Sequence, residues 1–101
     1  MNIRLTTPML KVLKVMVEQP KRGFSGAELS RATSVGPGTL YPLLARLEQA
    51  DWVTSEWEAV DPAEAGRPRR RYYTLSASGQ SQALQILREF QVTAGVLAWH
   101  S

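Results

Sequence analysis

Four arginines in five residues, Arg67, Arg69, Arg70 and Arg71, flank Pro68 and run directly into Tyr72 and Tyr73. Arginine suits bidentate contact with phosphate, because its planar guanidinium holds several donors in a fixed fork. A charge run is by default a solvated face. Here it falls at the turn of an expected β-hairpin behind an expected helix-turn-helix, and there it reads as the tip of a DNA-gripping wing. A second set, Thr39, Tyr41, Pro42 and Arg46, lies off the leucine-lined face of the helix before the hairpin. Thr39 is suited to hydrogen-bond phosphate near the helix N-terminus, where the dipole favours anions. Pro42 contributes shape rather than contact. The chemistry these residues offer is the recognition of a polyanion.

Composition points the same way. A net charge of +3 and a pI near 9.7 favour a polyanionic partner without requiring one. Residues 48–64 hold six acids, Glu48, Asp51, Glu56, Glu58, Asp61 and Glu64, and no base. Those carboxylates sit on an expected strand and turn without a partner base or an evident pocket, which argues against an enzyme. No cysteine is present, which excludes disulfide scaffolds, thiol catalysis and the usual structural zinc sites. His100 is lone and terminal, and no metal or cofactor is expected. The longest apolar run falls far short of the ~20 residues a membrane-spanning helix needs. Lys11 and Lys14 interrupt the N-terminal apolar stretch, so it does not read as a signal peptide. A cytoplasmic location is the expectation, with no membrane partner.

Four helices and a hairpin must position these groups. The 101 residues predict one compact unit, divided into a winged helix-turn-helix over 1–75 and a C-terminal helix over 76–101. The fold class is mainly α with a small β-hairpin. The first helix is predicted to start with Thr7 as N-cap and Pro8 at the first position, and to end before Pro20. It carries two apolar stripes, one of Leu5, Met9, Val12 and Met16, the other of Leu10, Leu13 and Val17. One stripe suffices to dock a helix, so two predict a second contact surface.

Ser25-Gly26-Ala27-Glu28 is a capping box that opens a second helix running to about residue 33. Gly36-Pro37-Gly38 breaks the chain, and a third helix follows to about residue 50. Leu40, Leu43, Leu44 and Leu47 line one of its faces. Two short helices joined by a glycine-containing turn make a helix-turn-helix, although a helical hairpin serving only the core fits that signal equally well. The β-formers of 52–57 and 72–75, separated by the turn-prone 61–68 segment, predict the hairpin. The order is that of a winged helix, with the third helix in the major groove and the hairpin tip at phosphate or minor groove. Tyr72 and Tyr73 alternate across the sheet, which predicts one in the core and one at the surface. Lys21 and Arg22 are expected to be solvated rather than bound to flanking phosphate.

The last helix is predicted from about residue 76 to 99. Ala83, Leu87, Phe90, Ala94 and Leu97 recur at coiled-coil spacing, and Leu84, Ile86, Val96 and Trp99 widen the face. The helix either folds back on its own domain or packs on a second chain. A homodimer is the favoured expectation, with Met9, Val12, Met16, Leu84, Leu87, Phe90, Ala94 and Leu97 in the interface. Trp99 there is either plain interface filling or, with Met9 and Met16, the lining of a pocket for a small hydrophobic effector.

Gly38-Thr39-Leu40-Tyr41-Pro42, with Leu44, Leu47 and Glu48 at their spacings, resembles the recognition helix of PadR-family transcriptional regulators. The segment from Gly66 through the arginines and tyrosines to Ser76, with Gly79 following, is similar to that family's wing and the start of its last helix. The resemblance covers roughly residues 5–90. It implies a winged-helix dimer that binds double-stranded DNA, usually represses genes, often its own and neighbouring ones, and is released by a small molecule. It also implies a DNA contact for Tyr41, which otherwise fits a packing aromatic. The chain is similar to short members with a single C-terminal helix. Thr74 stands where a basic residue is common and Ser76 where threonine is common, and the first departure removes one expected phosphate contact. The alternative in another class is a winged helix used only for protein contacts.

Overall fold

The computed structural model describes the backbone of residues 5–100 and the side chains of 5–90. The order of elements is α1 (Thr7–Glu18), β1 (Phe24–Ser25), α2 (Gly26–Thr33), α3 (Pro37–Gln49), β2 (Val53–Trp57), α4 (Pro62–Ala65), β3 (Arg71–Leu75) and α5 (Ala77–His100). The predicted helices and hairpin are all present. Two elements were not predicted. β1 is only two residues long and pairs with β3, through Phe24 with Tyr73 and Ser25 with Tyr72. It completes a three-stranded antiparallel sheet of order β1-β3-β2. α4 is a single turn inside the wing loop. Neither is long enough to show periodicity.

Helix α1 begins one residue earlier than predicted. Thr6, not Thr7, is the N-cap, and its hydroxyl accepts a 3.3 Å hydrogen bond from the Met9 N–H. The capping box of α2 is as predicted: Ser25 Oγ accepts from the Glu28 N–H and Glu28 Oε1 from the Ser25 N–H, each at 3.1 Å. Helix α3 runs unbroken through Pro42, whose missing N–H leaves the Gly38 carbonyl without its intrahelical partner.

The core lies where α1, α2 and α3 meet the inner face of the sheet. Leu40, Leu43, Leu44 and Leu47 of α3 are fully buried against Met9, Val12, Leu13 and Met16 of α1. This corrects one expectation. The sequence predicts Met9, Val12 and Met16 in a dimer interface, and Met9 and Met16 also in an effector pocket. All three are sealed inside a single chain and have no surface to offer a second one. The physical reason is that α1 is central: it touches α2, α3, β3 and α5, so a second apolar stripe is consumed within the domain. Leu5 and Leu10 of the predicted stripes remain exposed and half-buried.

The start of α5 is locked to the α3–β2 turn. Ser76 donates its N–H to the Trp52 carbonyl at 2.9 Å and its hydroxyl to the Asp51 carbonyl at 2.6 Å, while its Oγ accepts from the Gly79 N–H. Gly79 sits so close to this turn that a Cβ would lie 1.9 Å from the Trp52 carbonyl oxygen. Farther along α5, Ala83 is buried and Ile86 packs against the core. Leu84 and Leu87 are half-buried and Phe90 is 54% exposed. Ala94, Val96, Leu97 and Trp99 lie outside the residues whose side chains are described. The molecule measures 56 × 26 × 22 Å, elongated by this 24-residue helix.

Candidate nucleic-acid interface

The leucine face of α3 determines what its other faces present. Because four leucines at helical spacing turn inward, Thr39, Pro42 and Arg46 form an exposed strip with Gly38, Ala45 and Gln49 beside them. Thr39, Pro42 and Arg46 therefore share one open face, whereas Tyr41, expected nearest the groove, does not lie at its centre. Gln49, one turn beyond Arg46, extends that strip and was not singled out in the sequence, although its spacing of three from Arg46 was the available signal. Tyr41 is on the flank. It is 48% exposed, and its ring rests against Gly26, where a Cβ would come within 2.3 Å of the phenolic oxygen. Glycine at the first position of α2 is thus what lets the α3 aromatic lie between the two helices and the sheet.

The wing is ordered by acid–base pairing that composition alone did not disclose. β2 and β3 pair from Val53 with Leu75 to Trp57 with Arg71, and the Glu58 N–H then donates to the Arg70 carbonyl at 2.7 Å. Asp61 Oδ1 caps α4 by accepting from the Ala63 N–H, and Gly66, in the left-handed region at φ 68°, ends it. Arg67 makes a bidentate ion pair with Glu58, its two terminal nitrogens donating at 2.6 and 2.9 Å. Glu58 Oε1 also accepts from the Arg70 N–H at 3.3 Å. These bonds, the Arg67 guanidinium above all, lower the Glu58 pKa to about 2, and the carboxylate in turn raises that of Arg67.

Arg71 is engaged as well. Its guanidinium donates to Ser55 Oγ at 2.7 and 2.9 Å and to Glu48 Oε2 at 3.3 Å, and lies 5.3 Å from the Trp57 ring centroid. The Ser55 hydroxyl in turn donates a hydrogen bond to Glu48 Oε2 at 2.7 Å, so the end of α3 is braced to the wing. Arg69 donates Nε–H to the Val60 carbonyl at 2.9 Å. Arg69 and Arg70 are exposed, and among the described residues neither makes an ion pair. The expectation of four equivalent phosphate-binding arginines is therefore divided: Arg67 and Arg71 build the wing, while Arg69 and Arg70 carry charge not paired within it. Two of the six carboxylates of 48–64 do have basic partners, because hairpin closure brings Glu58 to Arg67 and the sheet brings Arg71 to Glu48.

Tyr73 is buried and Tyr72 is half-exposed, as alternation predicted, and burial raises the Tyr73 pKa. Arg22, expected to be solvated, is paired with Glu28 and stacked 4.4 Å over Phe24. The Glu28 pKa is lowered, chiefly by the Ser25 N–H. Between α2, α3 and the wing runs an open cleft of about 800 Å³, bordered by Ala27, Arg31, Pro37, Tyr41, Arg70 and Tyr72. Arg31, Arg70 and the exposed Tyr41 suit it to a phosphate-bearing chain, while its carboxylate, Glu28, is paired with Arg22. Among the described residues no cluster of acids and histidines is placed to hold a metal ion, and no helix is long and apolar enough to cross a membrane.

The same arrangement recurs in solved proteins. A PadR-like transcriptional regulator from Bacillus cereus superposes with a TM-score of 0.70 at 21% identity, covering 89% of this chain and 86% of that one. A PadR-like transcription factor from Bacteroides fragilis gives 0.68 at 24% identity, covering 92% and 90%. Staphylococcus aureus MepR in its DNA-binding conformation gives 0.72 at 18% identity, covering 96% and 66%. The chain thus spans 66% of the length of MepR, and 61% of that of Lactococcus lactis ZitR. These likenesses establish a winged-helix fold. No curated protein matches the sequence. The model of the transcriptional regulator PadR-like family matches residues 12–85, most of the chain and all of the helix-turn-helix and wing. By that match, the chain belongs to the PadR-like family of transcriptional regulators.

Proposed function

We propose that this chain is a sequence-specific DNA-binding repressor that works as a homodimer in the cytoplasm. One observation carries the reading: the leucine face of α3 turns Thr39, Pro42 and Arg46 outward, next to a wing bearing the exposed Arg69 and Arg70. In this reading α3 enters the major groove, and Arg69 and Arg70 grip phosphate at its edge. Apolar surface on α5, with Leu84 and Leu87 half-buried and Phe90 exposed, supports pairing with a second copy. A small hydrophobic effector would act at that α5 seam, since Met9 and Met16 are sealed in the core. It would work by changing the separation of the two α3 helices, which one turn of B-DNA fixes at roughly 34 Å.

The test is selection of bound sequences from a random duplex pool by the purified protein, followed by binding to the selected site over a range of salt. A conserved palindromic site and a steep salt dependence are expected. Recovery of unrelated sequences would overturn specific recognition. A flat salt dependence would favour the protein-contact alternative.

A further inference from the structure

Among the described residues Trp57 is the most exposed large apolar side chain, with 61% of its surface open to water. It is the last residue of β2 and stands opposite Arg71 of β3. Alternation puts it on the same sheet face as Val53 and Ser55, and therefore with Tyr73 and Leu75 across the ladder. That face covers the core as far as Tyr73. One pair farther on the core has ended, and the indole projects beyond it.

The ring is nevertheless held. Arg71 stacks on it at 5.3 Å, and Arg71 is itself tied to Ser55 and Glu48. On one side Trp57 borders a cleft of about 450 Å³ with Ala27, Tyr41, Arg69 and Arg70. On the other it borders an open depression with Pro62, Pro68 and Arg69. The result is an oriented aromatic wall between the α3 flank and the two arginines left free of ion pairs. A DNA strand has the complementary make-up, since apolar deoxyribose faces alternate with phosphates along it.

We propose that Trp57 is an uncharged DNA contact of the wing, packing on deoxyribose of the strand that runs between α3 and the hairpin while Arg69 and Arg70 pair with that strand's phosphates. This rests on the DNA-binding reading. It differs from the arginine contribution in a measurable way. Pairing arginine with phosphate releases counterions, so it weakens as salt rises, whereas burying apolar surface releases none. Covering part of the exposed indole with deoxyribose is worth roughly tenfold in affinity.

The experiment uses the full chain, with Trp57→Ala and Trp57→Phe variants titrated into a fluorescent random-sequence duplex over a range of salt. Trp57→Ala is expected to bind roughly tenfold more weakly at every salt concentration with an unchanged slope. Trp57→Phe, which keeps a ring for Arg71, retains most of the affinity. DNA should quench the tryptophan emission of the natural protein more than that of Trp57→Phe, a comparison that stands even if the alanine variant fails to fold. Equal affinity for all three proteins, or equal quenching with and without the indole, would overturn the inference while leaving the DNA-binding reading intact. A loss that fades as salt rises would assign the effect to the arginines, and a changed sedimentation coefficient would assign the face to a second copy. If the natural protein binds no duplex, the DNA-binding reading fails first.

Discussion

At Glu58 a single carboxylate orders two wing residues, closing a bidentate pair with Arg67 and accepting from the Arg70 N–H. Its pKa of about 2, against an ordinary 4.5, gives this latch a pH signature. A carboxyl whose pKa is lower folded than unfolded contributes stability above about 4.5, and that contribution is lost as pH falls towards 2. Melting of the natural protein and of Glu58→Gln should therefore differ at neutral pH and converge near pH 2. A constant difference across that window would show that the latch is not electrostatic. The arginines separate by the same logic. Arg69→Ala with Arg70→Ala should weaken binding to all duplexes and flatten the salt slope by up to about two units, with melting unchanged. Arg67→Ala should instead lower melting, because it strands Glu58. Equal salt slopes for the double variant and the natural protein would remove Arg69 and Arg70 from the interface.

At the scale of elements, two glycines set the distances between helices. At Gly79 a Cβ would meet backbone, which cannot swing aside, so Gly79→Ala must push the start of α5 off the α3–β2 turn. A loss of about 3 kcal/mol is expected, lowering the melting temperature by more than roughly 10 °C for a domain of this size. An unchanged melting temperature would mean that α5 docks by another route. Gly26 meets a side chain instead, the ring of Tyr41. That ring is half exposed and lies at the mouth of the cleft, so Tyr41→Ala should reduce affinity for a selected duplex several-fold while costing about 1 kcal/mol or less in stability. Collapse of the fold in this variant would make Tyr41 a core residue.

For the whole molecule the decisive question is what covers Phe90 and Leu5. One chain leaves Phe90 and Leu5 exposed. If a second copy covers them, melting depends on protein concentration, because association stabilises the folded dimer by mass action. Sedimentation at micromolar concentration should then give twice the mass of the chain, and Phe90→Glu should return it to a single chain without unfolding the core. A concentration-independent melting temperature with a monomeric mass would overturn the dimer.

Much of this molecule was legible along the chain. Capping residues, leucine spacing and β-formers are local signals, so the helix-turn-helix, the hairpin and the exposure of Thr39, Tyr41, Pro42 and Arg46 off the leucine face followed from sequence alone, but not the position of Tyr41 on the flank. What depended on contacts between distant residues did not. The two apolar stripes of α1 predicted a second contact surface, and only the three-dimensional arrangement showed that α2, α3, α5 and the sheet of the same chain bury Met9, Val12, Leu13 and Met16, leaving Leu5 exposed and Leu10 and Val17 half-buried. The four arginines looked alike in sequence. Closure of the hairpin then placed Glu58 against Arg67, and packing of α3 on the sheet placed Glu48 against Arg71, leaving Arg69 and Arg70 without ion pairs. Trp57 read as a strand former, and its exposure was decided by where the core stops. Periodicity reports which face of an element is apolar, but only the tertiary structure decides which neighbour covers that face and which charges meet across it.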